Sequence, residues 1–266
     1  MKRTRGYRFE FGLIAAAVLV SILGFWDIYV GPRADPQPHH HLHIVTAFVW
    51  MGLLAAQLRL LARNDYAAHR KLGLVVLLVA PLLVATTAML SVHSAHKGVV
   101  SGEGDFLIVQ NVMGTIELAA LIVLAFVLKS RSAVHGALLL GTTILFIGIA
   151  LFFALISFAP PFRIEGPETF YRFQTAAMTS QFVCLALGLV FFLRDRRNGW
   201  PFLAAGASLL LNEAIRAALT SLDLIDPLTA AVGSLSQPFT FVLTFALLSA
   251  MLAALTLPTR RKARPA

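Results

Sequence analysis

Apolar runs of about twenty residues recur along this chain, and they constrain its fold more than any other feature. A hydrocarbon core of about 30 Å takes roughly 20 residues of helix to cross. Eight stretches reach that length: Phe11–Val30, Leu42–Leu61, Leu72–Val92, Phe106–Leu128, Val134–Phe158, Phe173–Leu193, Trp200–Leu222 and Leu235–Leu257. Leucine, alanine, valine and phenylalanine fill them on every side. That is the pattern of a helix that faces lipid and satisfies its own backbone. Turn formers punctuate the connections at Gly31-Pro32, Pro36-Gln37-Pro38, Gly102-Glu103-Gly104, Pro160-Pro161 and Gly166-Pro167. The expected architecture is an all-α integral membrane protein, a bundle of eight transmembrane helices forming a single domain over residues 1–266.

Basic residues set the expected orientation. Seventeen of the 22 Lys and Arg fall in alternate segments: the N-terminal stretch, the turns around Arg63–Lys71, Lys129–Arg131 and Arg194–Arg197, and the C-terminal stretch. Four fall in the other loops and Arg216 lies inside a span. Both termini are therefore expected in the cytoplasm of a bacterial inner membrane. The net charge of +9 reads as a topology signal, not as a nucleic-acid footprint. Phe11–Val30 follows a basic stretch but exceeds a signal-peptide core and lacks a clean cleavage site, so it is expected to remain as the first span. Only 13% of residues are charged and 58% are hydrophobic, which excludes a soluble globular enzyme or a disordered tail. The single Cys184 excludes an internal disulfide. A short echo links two turns: Arg63 precedes His69 by six positions and Lys129 precedes His135 by six. Residues 42–92 and 106–158 could thus be related hairpins.

Polar groups inside a bilayer are costly and mark candidate sites. Glu117 falls near the middle of the fourth span. Glu213 and Arg216 fall in the seventh, three apart on one helical face. Gln57, Asn111, Gln181 and Asn212 should face the protein interior. Structural pairing and a proton or solute relay are both consistent with these residues.

Histidine supplies the second constellation. His39, His40, His41 and His43 cluster at the entry to the second span, and His93 and His96 lie at the end of the third. Antiparallel spans should bring these groups to one periplasmic level. The expected ligands are His41, His43, His93 and His96, with Asp27 as a ligand or as a group orienting an imidazole. Imidazoles with a carboxylate suit zinc, copper or iron, and facing imidazoles could serve a haem. His69 and His93 are 24 residues apart, about 36 Å along a helix, which argues against two haems stacked between one helix pair. His69 and His135 open apolar helices on the cytoplasmic side. No nucleophile elbow or glycine-rich phosphate loop occurs, so no catalytic residue is assigned.

The stretch Gly24-Phe25-Trp26-Asp27-Ile28-Tyr29, then His41-Leu42-His43, Trp50, Gln57, Arg63 and His69-Arg70-Lys71-Leu72-Gly73 resembles a group of bacterial polytopic membrane proteins. Their pattern has a Gly-Phe-x-x-x-Tyr first span, a His-x-His entry to the second, a mid-helix Trp and Gln, and a His-Arg-x-Leu-Gly turn. The likeness covers roughly residues 20–160, and it departs from the pattern at Asp27 and at His135-Gly136. It implies fold and location, not activity, and singles out His41, His43, Gln57 and His69. A looser similarity to cytochrome b561-type haem proteins comes from histidines at helix ends. Three readings follow: a His-ligated metal or haem role in binding or redox chemistry, a transporter or channel-like module using Glu117, Glu213 and Arg216, and a non-catalytic subunit of a larger membrane complex. The expected surroundings are the lipid bilayer and a membrane-protein partner or second copy.

Overall fold

A computed structural model describes residues 6–32 and 34–256. All regular structure among them is helical. The helices are α1 (Arg8–Gly24), α2 (Trp26–Tyr29), α3 (Pro38–Ala62), α4 (Tyr66–Ser101), α5 (Ile108–Val127), α6 (Ser132–Phe158), α7 (Tyr171–Arg194), α8 (Trp200–Ser221), α9 (Ile225–Gly233) and α10 (Gln237–Thr256). Seven of them are long and apolar enough to cross a membrane: α3, α4, α5, α6, α7 with the turn before it, α8 and α10. The fold is that of a multi-span membrane protein.

The eighth expected span takes a different form. Phe11–Val30 is not one helix, because α1 ends at Gly24 after 17 residues and the chain turns at Phe25 before the single turn of α2. At 1.5 Å per residue α1 is about 25 Å long, shorter than the hydrocarbon core. Two other helices are longer than expected. α3 begins at Pro38, a full turn before Leu42, because a proline at the first helical position is pre-set for helix and its missing N–H leaves nothing unpaired. α4 runs for 36 residues, from an Asp65 cap that accepts the Ala68 N–H at 3.0 Å to Gly102 at φ 74°. One helix therefore carries both His69 and His93. Leu257, the expected end of the last span, lies outside the described residues.

One apolar core runs from Leu13 of α1 to Leu252 of α10. Trp50 of α3 is completely buried in it, and its indole N–H donates to Thr142 Oγ1 of α6 at 2.9 Å. The two proposed hairpins share one local detail. His69 and His135 each occupy the fourth position of their helix and donate a backbone N–H to the capping residue, Asp65 or Arg131.

Helices α7 and α8 meet backbone to backbone through glycine. A Cβ on Gly188 would lie 2.5 Å from the Phe202 carbonyl oxygen, and one on Gly206 would lie 2.5 Å from that of Cys184. Small residues at such crossings let helices approach where lipid supplies no hydrophobic drive. Gly206→Ala is therefore expected to lower the unfolding free energy by about 1–3 kcal/mol. Gly52→Ala faces open space and should raise it by up to about 1 kcal/mol, since alanine is the better helix former. Denaturation by SDS in mixed micelles measures both, and equal shifts of one sign would refute the close crossing.

Candidate functional site

A partly open cavity of about 1340 Å³ runs from one end of the bundle into its middle. Its walls come from α1 to α8, with Gln237 of α10 at the edge. Histidines of α3 and α4 line it, as does an ion pair of α8 with its amide partners from α5 and α7.

The histidines owe their placement to the early start of α3. Residues on a helix turn by roughly 100° each, so a four-histidine string in helical geometry fans out instead of converging. His39 and His40 turn toward His93 of α4. Their ring centroids lie 4.2 and 5.2 Å from that of His93 and 4.1 Å from each other. One nitrogen from each of the three lies within 4.8 Å of the others. Among the described residues this is the one group of three or more His, Cys, Asp or Glu with such geometry. His39 Nε2 is buried without a hydrogen-bond partner. His40 Nδ1 accepts the Gln37 backbone N–H at 2.9 Å and so closes the first turn of α3. His93 Nδ1 faces the Gln237 amide of α10 at 3.5 Å.

This group differs from the set expected from the sequence. Of His41, His43, His93, His96 and Asp27, only His93 joins the group. His41 points the other way and bonds through Nδ1 to the Tyr29 hydroxyl. His43, one turn below His39, faces the interior, where its Nδ1 lies 3.2 Å from Thr86 Oγ1; Thr86 in turn meets Thr46 at 3.0 Å. His96 reaches the Gly233 carbonyl of α9 at 3.3 Å. Asp27 is exposed on α2 and lines the cavity apart from the three histidines. His39 and His40, which the sequence placed only in the general cluster, complete the group with His93.

Also in the cavity wall, Arg216 and Glu213 of α8 pair through the guanidinium Nε, 3.0 and 3.1 Å from the two carboxylate oxygens, and through Nη2 to Oε1. Two glutamines complete the set. Gln174 of α7 donates to Glu213 Oε1 at 2.7 Å and accepts from Arg216 Nη2 at 3.0 Å. Gln110 of α5 donates to Glu213 Oε2 at 3.1 Å. The pair was legible from its i, i+3 spacing, but neither glutamine was singled out. The one available signal was heptad spacing: Gln110 stands seven before Glu117, and Gln174 seven before Gln181, a separation that returns to one helix face.

Glu117 does not meet Arg216. It lies beside Asn212 and Ser208 of α8, and its Oε2 has no hydrogen-bond partner. Asn212 is completely buried with neither amide atom bonded, and the Gln181 Oε1 is likewise orphaned. At the opposite end of the bundle, His69 lies near Gln57 and His135. His135 donates from Nδ1 to the Ala125 carbonyl at 2.7 Å, whereas His69 Nδ1 and Gln57 Oε1 are buried without partners.

No protein-family model, curated protein or solved structure matches the chain. The class of multi-span helical membrane protein thus rests on the helices themselves, and the function must be argued from the site.

Proposed function

We propose that this protein binds a first-row transition-metal ion through His39, His40 and His93 at the mouth of its cavity. The observation that carries the reading is the buried, unpartnered Nε2 of His39 beside two other imidazoles. A buried polar atom without a partner costs about 1–3 kcal/mol, and a metal ion relieves that cost. Ligand nitrogens 2.0–2.1 Å from a tetrahedral ion stand about 3.4 Å apart. The present separations, up to 4.8 Å, close to that value with side-chain rotations of the order of an ångström. Three imidazoles leave a fourth position open toward the cavity, the arrangement of zinc sites that hold water or substrate.

Two details refine the site. A neutral imidazole whose Nδ1 accepts a hydrogen bond carries its proton on Nε2 and has no lone pair there. His40 must therefore release the Gln37 N–H when it ligates, so metal and helix cap compete for one ring. At His93, the Gln237 amide turned with its oxygen toward Nδ1 would hold the tautomer that leaves Nε2 free, the usual supporting contact of a metal-bound histidine. The rings sit too close together for a porphyrin between them, which favours an ion over haem.

The chain is proposed to sit in a bacterial inner membrane with α1–α2 as an eighth, kinked span, both termini cytoplasmic and the histidines periplasmic. The basic turns at the other end of the bundle support this orientation. The charge-relay alternative has less support, because Glu117 and the Glu213–Arg216 pair keep separate partners.

Titration of chelator-stripped protein in detergent tests the metal reading. Equimolar uptake of Zn²⁺ and Cu²⁺ is expected, tighter for Cu²⁺. His39→Ala and His93→Ala should weaken it by about 10–100-fold or more, since even loss of a supporting group costs that much. His96→Ala should leave it unchanged. Acidification well below the ordinary imidazole range should release the ion because protons compete for the same lone pairs. Uptake that is absent, or equal in wild type and His39→Ala, would end the proposal.

A further inference from the structure

We infer that the cavity is a binding site for an uncharged amphipathic molecule whose head group donates hydrogen bonds, of the alkylphenol or hydroquinone class. Two amide oxygens in its wall have no partner. Gln181 is only 5% exposed, and its Oε1 is buried and unbonded. Gln110 Oε1 is buried and unbonded as well. The orientation of the Gln110 amide is fixed by its neighbour: the nitrogen donates to the Glu213 carboxylate, and turning the amide over would set oxygen against oxygen. Its free atom is therefore an acceptor, and only a donor satisfies it.

The surroundings select against charge. Arg216 neutralises Glu213, and Gln174 bonds to both of them. Around the two glutamines the acceptor atoms thus come without an unpaired charge, so a charged head group seated there would lie uncompensated against the phenylalanine wall. Phe106, Phe170, Phe173 and Phe152 form a continuous aromatic cluster in the wall, with neighbouring ring centroids 4.8–5.9 Å apart. Rings present flat faces and edges that suit a further ring. The cavity, at about 1340 Å³, exceeds the roughly 300–1,000 Å³ of an ordinary small-molecule pocket. An aliphatic tail on the ligand fills that excess against the phenylalanine, leucine and isoleucine side chains.

The orphaned amides stand on α5 and α7 and the histidines on α3 and α4, so this inference stands or falls apart from the metal site. Calorimetry on protein in lipid nanodiscs, with empty discs as the blank, tests it. The probes are 4-nonylphenol and its methyl ether, which has the same shape but no donor. Saturable one-site binding of the phenol is expected, with the ether about tenfold weaker. Gln110→Leu and Gln181→Leu should each weaken the phenol severalfold and leave the ether unchanged. Equal binding of phenol and ether to the wild type would overturn the inference without recourse to any variant. So would uptake no greater than that of empty discs, or phenol binding unchanged in both leucine variants.

Discussion

Arg216→Met is expected to be among the most damaging single substitutions in this protein. It removes the guanidinium that pairs with Glu213 and leaves the carboxylate, whose side chain is only 13% exposed, to the two glutamines. Breaking a buried ion pair by deleting one partner costs about 3–5 kcal/mol, most of it the penalty of the stranded charge. Arg216 itself is 29% exposed and the cavity admits water, so the lower figure, about 3 kcal/mol, is expected. Glu213→Gln strands the more exposed member instead, and Arg216 keeps the Gln174 oxygen, so its loss should be smaller. The double variant Glu213→Gln/Arg216→Met carries no buried charge and should recover most of what Arg216→Met loses. Unfolding by SDS in mixed micelles gives all three values against wild type. If Arg216→Met lies within about 1 kcal/mol of wild type, the pair behaves as a surface pair and not as a buried one.

The coupling between these residues explains how much of the fold was legible beforehand. Hydropathy finds the part of a helix that lipid must cover, and it located seven of the spans for that reason. It does not find where a helix continues into polar surroundings. α4 was expected over Leu72–Val92 and runs over Tyr66–Ser101: its extra turns carry His69, Arg70 and Lys71 at one end and His96 and Lys97 at the other. The histidine string before Leu42 read as a connection because it is polar and follows Pro38, yet that proline is what starts α3. α9 was not foreseen at all. Nine residues are too few for a span, and what holds α9 is tertiary: the position where a Gly233 Cβ would sit is 3.0 Å from the backbone of Ala95 and His96.

The candidate site was half legible for a related reason. Residue type and membrane depth pointed to the histidines and to Glu213–Arg216. Direction did not follow from either. An extended segment would send alternate histidines to one side, and a helix sends His39 and His40 toward α4, His41 toward Tyr29 and His43 into the core. The choice between the two backbones decides which imidazoles meet. The glutamines were missed because a single amide in an apolar run is indistinguishable, in sequence, from an ordinary interhelical hydrogen bond. Its partners lie 103 and 39 positions away for Gln110 and Gln174.

Trp50 provides the second large effect. Its ring is wholly buried where α3 and α6 cross, and its only polar atom is satisfied by Thr142, which itself donates to the Leu139 carbonyl at 2.7 Å. Trp50→Ala empties the largest fully buried side chain in the bundle, so a loss of about 3–5 kcal/mol is expected. The indole contributes volume and a hydrogen bond, and two further variants separate them. Thr142→Val keeps the packing but strands the indole N–H, which should cost about 1–3 kcal/mol. Trp50→Phe removes the donor with part of the volume and should fall between Thr142→Val and Trp50→Ala. When Trp50→Phe and Thr142→Val are combined, no stranded donor remains, so the double variant should be less destabilised than the sum of the singles by about 0.5–3 kcal/mol. SDS denaturation of the four proteins closes the cycle. Strict additivity would mean that the 2.9 Å contact contributes nothing and that Trp50 holds α3 against α6 by its bulk alone.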